Sequence, residues 1–225
     1  MKRLLAVKDL GHMRYLDALE IQQHLVAQRK LNQGIDTLLF VEHPHVVTLG
    51  RNGKLQHLLA SEEVLSRRGI EYYETDRGGD VTYHGPGQIV GYPILDLREW
   101  KCDVHAYFSG VEQALMDALA CFGITAGRIP QRGYEGVWVQ GSKIAAIGIH
   151  ISRWITSHGF ALNVETDLSY FQYIVPCGLT KPVCSLRSLG CAASRGEVMQ
   201  AIATSFANVF DYELAMAQPA LQEIQ

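Results

Sequence analysis

Arg77-Gly78-Gly79-Asp80-Val81-Thr82-Tyr83-His84-Gly85-Pro86-Gly87-Gln88 is the stretch on which the reading of this chain turns. It separates a strand-like run, Ile70 to Thr75, from a longer apolar run, Ile89 to Leu97. Four glycines and a proline in twelve residues make a poor helix and a poor strand interior, because glycine loses the most backbone freedom on ordering. The stretch is therefore expected to be a loop between two strands. Arg77, Thr82, Tyr83 and His84 can all hydrogen-bond, and the glycines among them let backbone approach a ligand closely. A glycine-rich hairpin turn with a surface histidine is the plainer reading of the same residues.

Outward from that loop, Leu4 to Val7, Thr37 to Val41 and Val46 to Leu49 read as strands, the first at an edge. Met13 to Leu31 carries Met13, Leu16, Leu19, Ile21, Leu25 and Val26 at helical spacing, with a wet opposite face. Ser61 caps a short helix that ends near Gly69. Ile89 to Leu97 is apolar enough for a central strand, with Pro93 marking a bulge or an unpaired amide. Asp103 caps a helix whose stripe is Val104, Phe108, Val111, Leu115, Leu119 and Phe122, and Gly123 stops it. Cys121 beside that stripe reads as a small buried hydrophobe. Val137 to Val139 and Ile144 to Ser152 form a hairpin, with Gly141-Ser142 suiting a type II′ turn. His158 to Val164 supplies another strand, and Ser194 with Glu197 forms a capping box before a last helix. The expected architecture is α+β: a mixed, largely antiparallel sheet with packed helices. With no linker, repeat or low-complexity tract, residues 1–214 are expected to form one domain and 215–225 a mobile tail.

The 225 residues suffice to bury a core, and 20 basic against 23 acidic residues give a net charge of −3. No global basic field points to nucleic acid or an anionic membrane, and no apolar run is long enough to span one. Lys8, Asp9 and His12 interrupt the apolar start, which reads as a strand rather than a secretion leader. Five cysteines without a C-x-x-C pair argue for a reducing cytosol and against a disulfide framework or zinc ribbon.

Cys177 lies in Pro176-Cys177-Gly178, where a rigid residue and a flexible one present the sulfur at a turn. Lys143 opens the second hairpin strand beside Ala145-Ala146-Ile147-Gly148, a small apolar lining suited to an acyl chain. A solvated lysine and a buried structural cysteine are the plainer readings. His43 and His45 would share a strand face, yet no third ligand has a recognisable spacing. His84 and His158 each precede a glycine, as residues at loop ends facing a cleft do.

Four blocks appear in order: Arg77 to Gln88, Gly141-Ser142-Lys143-Ile144-Ala145-Ala146-Ile147-Gly148, His158-Gly159-Phe160-Ala161-Leu162-Asn163 and Pro176-Cys177-Gly178. With Thr48-Leu49-Gly50-Arg51, they resemble the lipoyl(octanoyl) transferases over roughly Leu38 to Leu189. The resemblance implies a fold similar to the catalytic domain of biotin and lipoate ligases. It implies transfer of an octanoyl group from octanoyl-acyl carrier protein to a lysine of apo lipoyl domains. Those acceptors are the lipoyl domains of 2-oxoacid dehydrogenase complexes and the glycine cleavage H protein. The resemblance also implies a setting in lipoate biosynthesis in the cytoplasm, with no cofactor and no metal.

By motif, Cys177 would be the acyl-thioester nucleophile and Lys143 the cation that lowers its pKa. Arg77, Gly78, Gly79, Asp80, Val81, Thr82, Tyr83 and His84 would line the acyl and pantetheine site. Ala146, Ile147, Gly148, Gly159, Phe160 and Ala161 would complete it. His84 would either orient the carbonyl or relay a proton, and the motif leaves both open. Arg51, Lys54, Arg77 and Lys181 are candidates for a basic rim facing the acidic carrier protein. The chemistry is self-consistent: a thioester donor and an amide product need no nucleotide, and a cysteine splits the transfer into two acyl steps. Three other readings remain: an ATP-dependent lipoate or biotin ligase of the same fold, a non-catalytic acyl-binding module, and a cysteine hydrolase.

Overall fold

The computed structural model describes residues 2–131, 133–175 and 181–215. The chain runs through β1 (Arg3–His12), α1 (Tyr15–Lys30), β2 (Asp36–Glu42), β3 (Val46–Leu49), α2 (Glu62–Arg67), β4 (Glu71–Glu74) and β5 (Val81–His84). It continues through β6 (Gln88–Ile94), α3 (Val104–Ala120), β7 (Val137–Val139), β8 (Ser142–Ser152), β9 (Ile155–Asn163), α4 (Arg195–Val209) and β10 (Tyr212–Leu214).

The larger sheet has seven strands in the order β10-β1-β2-β6-β9-β8-β7, and a smaller one runs β4-β3-β5. β10, β1 and β2 are mutually parallel, and every pairing from β2 to β7 is antiparallel. The α+β expectation of a mixed, largely antiparallel sheet holds. β1 is not an edge: β10 pairs with it through Arg3↔Tyr212, and its ten residues outrun the four-residue estimate. β6 is the central strand, buried along its whole length. Its ladder with β9 ends at Gly91↔Phe160, two residues short of Pro93, so the proline's missing amide costs no bond there.

α3 and α4 pack against each other over the main core, with Val111, Leu115 and Leu119 facing Val198, Ile202 and Phe206. Asp103 caps Ala106 N–H, and the predicted capping box of Ser194 and Glu197 is present. Cys121, expected in the core, is exposed, because it follows the last turn of α3 rather than sharing its stripe. α1 covers the other face of the large sheet, with Ala18 against Val90, Tyr92 and Ala161. Its buried positions are Tyr15, Ala18, Gln22 and Arg29, while Leu16 is exposed, so the stripe is rotated from the one the leucines suggested. Two polar anchors set that rotation: Gln22 Oε1 accepts from His158 N–H at 2.9 Å, and Arg29 Nε donates to Asp36 at 3.0 Å.

The glycine-rich stretch is not wholly loop. Its glycine-free centre, Val81-Thr82-Tyr83-His84, forms β5, with Val46↔His84 and Leu49↔Val81 as the ends of its register. The glycines stand only at the two ends, so the β-prone residues between them pair undisturbed. At the β7–β8 hairpin, Gln140 and Gly141 both have positive φ, 48° and 81°, and Val139 faces Ser142. That is a type I′ turn centred on Gln140-Gly141, not the expected II′ turn on Gly141-Ser142. Among the described residues no helix is long and apolar enough to cross a membrane.

Candidate active site

Small residues on one face of the β8–β9 hairpin open a slot beneath β5. Ala146 pairs with Ala161 and Gly148 with Gly159, so four side chains of one carbon or none lie together. The resulting cavity, about 40 Å3, is walled by Val81, Thr82 and His84 from β5 and Val90 and Tyr92 from β6. Tyr15 from α1 and His158 from β9 also contribute. A second space of about 20 Å3 shares Thr82, Ala146 and Ala161 with the first and adds Lys143, Gln88, Asn163, Phe171 and Val183.

Of the residues assigned to substrate from the sequence, Arg77, Gly79, Asp80, Val81, Thr82, His84, Ala146, Ile147, Gly148, Gly159, Phe160 and Ala161 border the larger cavity. Gly78 and Tyr83 do not. Gly78 ties the loop to β8, its N–H donating to Ile149 O at 2.8 Å. Tyr83 points into the core of the small sheet and shares a 2.8 Å hydrogen bond with His45. A Cβ on Gly148 would meet Gly78 O at 2.9 Å, so the loop can cross β8 here only because that position is glycine.

Arg77 is nearly buried, and it serves the fold as well as the slot. Its Nη2 donates to Thr48 O at 2.7 Å, and both Nε and Nη2 reach Thr48 Oγ1. It therefore leaves the proposed basic rim, whereas Arg51, Lys54 and Lys181 are exposed. Asp80 accepts from Val81 N–H and Lys54 N–H and pairs with His57, which fastens the segment after Gly53 to the loop.

The histidines are individually engaged. Met13 O can only accept, so His43 carries its proton on Nδ1 and takes the Tyr92 hydroxyl proton at Nε2, both at 2.8 Å. Burial holds His43 down at about 4. His45 stacks on Tyr170 at 4.2 Å. With each already bonded, the shared-face metal idea finds no third partner, and among the described residues no three His, Cys, Asp or Glu side chains are placed to hold a metal. His158 Nε2 donates to Asp76 at 2.7 Å, and that bond is the main reason Asp76 is drawn down to about 2. His84 is buried and held down at about 3, chiefly by desolvation.

Lys143 is 5% exposed, unlike the solvated lysine of the plainer reading, and its Nζ lies 5.0 Å from the centre of the Trp138 ring. Its backbone N–H donates to Pro182 O at 2.9 Å and its C=O accepts from Cys184 N–H at 3.0 Å, so residues 182–184 run alongside it. Cys177 lies outside the described residues. Cys184 is buried, its thiol pushed up to about 11 by desolvation.

Tyr15, Val90, Tyr92, Gln88, Asn163, Phe171 and Val183 line the two spaces without having been given a role from the sequence. Tyr15, Val90 and Tyr92 carry no local signal, because an apolar or aromatic residue in a helix or strand reads as core. Gln88 and Asn163 had one: each closes a motif block, Gln88 at the start of β6 and Asn163 at the end of β9.

The pattern of the lipoyl protein ligase A/B catalytic domain matches residues 14–207, and the chain belongs to that family. Within it, the chain is 61% identical over 208 residues to an octanoyltransferase of Solibacter usitatus, covering 92% of this chain and 94% of that one. Solved structures share the fold at low identity. A bipartite lipoate protein ligase from Thermoplasma acidophilum superimposes with a TM-score of 0.72 at 16% identity, covering 98% and 88% of the two chains. The biotin protein ligase of Aquifex aeolicus gives 0.51 at 12%, covering 94% and 70%.

Proposed function

We propose that this chain is an octanoyltransferase that moves an octanoyl group from octanoyl-acyl carrier protein to a lysine of lipoyl domains, through a thioester on Cys177. The observation that carries the reading is Lys143, a buried lysine at one end of an apolar slot whose wall there includes Phe171 and Val183. Those two residues flank, in sequence, the segment that holds Cys177. Membership of the family and 61% identity to a protein named octanoyltransferase support the acyl group.

In the first step the Cys177 thiolate attacks the donor carbonyl, a carbon–sulfur bond forms, and the carrier's pantetheine thiol leaves. In the second, the acceptor lysine's amine attacks the new thioester and the Cys177 thiolate departs. A free thiol has a pKa near 8.5, so only a few per cent is thiolate at neutral pH, and an adjacent ammonium raises that fraction. Lys143 supplies the ammonium in the first step and a route for the amine's proton in the second. Octanoyl and pantetheine groups occupy the space bounded by Thr82, Ala146 and Ala161, the three residues common to both cavities. Cytoplasmic location and acceptance of both oxoacid dehydrogenase lipoyl domains and the glycine cleavage H protein belong to the same proposal.

Incubation with octanoyl-acyl carrier protein and intact-mass measurement tests it. Wild-type protein should gain one octanoyl group without added nucleotide, and Cys177→Ala should gain none. An adduct that survives the substitution rules out Cys177 as nucleophile. Transfer that requires ATP instead points to the ligase chemistry of the structural relatives.

A further inference from the structure

We infer that Gln88 and Asn163 are positioning residues that hold His84 with its proton on Nδ1, so that Nε2 meets the slot's occupant only as a hydrogen-bond acceptor. The direction of every link follows from one fixed end. Cys184 O can only accept, so the atom of Asn163 that lies 3.0 Å from it is the donor Nδ2. Asn163 Oδ1 then faces Gln88, and as an acceptor it requires the Gln88 nitrogen, 3.0 Å away. The same nitrogen donates to Tyr83 O at 3.2 Å. Gln88 Oε1 is left for His84, whose Nδ1 lies 2.7 Å from it and must carry the hydrogen.

No other arrangement satisfies the same atoms. Turning the Gln88 amide over would set its oxygen against two acceptors, Tyr83 O and Asn163 Oδ1. Gln88, Asn163 and His84 are 1%, 4% and 6% exposed, so water does not repair such a mismatch. A buried polar group left unpaired is destabilising, and the links of a hydrogen-bond network reinforce one another. The relay also ends on the carbonyl of Cys184, whose N–H is bonded to Lys143 O, so one chain of bonds joins His84 to the backbone beside Lys143.

The motif left two roles for His84: orienting the substrate carbonyl, which needs an N–H donor, or relaying a proton, which needs an acceptor. With Nδ1–H committed to Gln88, the ring has no second N–H for an oxyanion, and the acceptor role remains. That consequence for catalysis rests on the octanoyl-transfer reading, whereas the tautomer itself does not.

The test uses the full chain labelled with nitrogen-15. Two-bond correlations from the His84 ring at neutral pH, assigned by their loss in His84→Asn, should show a protonated Nδ1 and a bare Nε2. An Nε2–H tautomer or a doubly protonated ring overturns the inference. Gln88→Met should mix the two tautomers and lower kcat about 10- to 100-fold, the cost of a small misplacement, with KM for the donor little changed. An unaltered ring spectrum and kcat in that variant overturn the positioning role. In His84→Asn the side-chain nitrogen takes the place of Nδ1 and keeps the bond to Gln88 while Nε2 is lost. Transfer should then fall about 100-fold or more, and a wild-type rate would show that His84 merely braces Gln88. Should the wild-type protein transfer no octanoyl group, the functional proposal fails while the ring spectra still decide the relay.

Discussion

Three hydrogen bonds join Arg77 to Thr48 at the edge of the slot. The guanidinium reaches the Thr48 hydroxyl from Nε at 3.1 Å and from Nη2 at 2.9 Å, in a site where Thr48 is fully buried. Thr48→Val keeps the shape and deletes the hydroxyl that accepts from Nε and Nη2. A loss of about 1.5–3 kcal/mol is expected, the range for hydrogen bonds to charged groups, read as a lower urea midpoint at unchanged m. Two buried histidines make a separate prediction. His43 and His84 have folded-state values of about 4 and about 3, below the ordinary 6.5. Between 6.5 and those values the unfolded chain binds protons that the folded one refuses, so stability is full above pH 6.5 and falls as the pH drops. Each histidine contributes a slope of up to about 1.4 kcal/mol per pH unit in that window. Asp76 continues the loss below its ordinary 3.8, toward about 2. Urea midpoints that stay level from pH 7 down to about 4.5 would contradict this account. At this scale the sequence drew attention to Arg77, His84 and His158, which the fold brings to one cavity, since chemistry-bearing residues beside glycines are visible in one dimension. It did not show that Arg77 is held by Thr48, because that contact spans 29 positions and depends on how the β4–β5 connection lies against β3.

Elements were legible where period and caps agreed. α3 and α4 begin at Asp103 and Ser194 as their caps require, and the β8–β9 hairpin brings together the small residues that open the slot. β5 was hidden because glycine counts over twelve residues mask a four-residue strand between them. The rotation of α1 was hidden for a different reason. Gln22 and Arg29 are polar, yet Gln22 is tied to His158 N–H and Arg29 to Asp36, Glu99 and Gly34 O, and no periodicity of leucines reports that. The β7–β8 turn offers a prediction of its own. Gln140 sits at φ 48° in a type I′ turn, a left-handed conformation that costs glutamine more than asparagine. Gln140 is exposed, so Gln140→Asn loses no packing and should raise stability by about 0.5–1 kcal/mol. The melting temperature and urea midpoint should both rise; a fall in either would mean that the turn is not held in this form.

At the scale of the molecule, Asp36 joins parts of the chain that are far apart in sequence. Its Oδ1 accepts from Arg29 Nε at 3.0 Å, at the end of α1, and from Asp96 N–H at 2.9 Å, just past β6. Its Oδ2 accepts from the Tyr212 hydroxyl at 2.5 Å, on β10, and lies 3.8 Å from Arg3 on β1. Arg3 in turn covers the Tyr212 ring at 4.1 Å. Burial pushes the Asp36 carboxyl upward, so these donors are what keep an anion tolerable there. Asp36→Asn replaces an acceptor with a donor facing Tyr212 and Arg3 or facing Arg29 and Asp96 N–H, whichever way the amide turns. Removing one partner of a buried pair typically costs about 3–5 kcal/mol, whereas Tyr212→Phe deletes a single bond to a charged group, about 1.5–3 kcal/mol. The two urea midpoints should fall in that order. Amide exchange should also separate them: Asp36→Asn should release β1, β10 and the end of α1 together, because the carboxylate is bonded from all three, while Tyr212→Phe should loosen β10 first. Equal midpoints and equal exchange would mean that the β10–β1 ladder holds without the carboxylate. In that case the sheet's parallel end would owe its place to the packing of Tyr212 and Phe210 against the α3–α4 core alone.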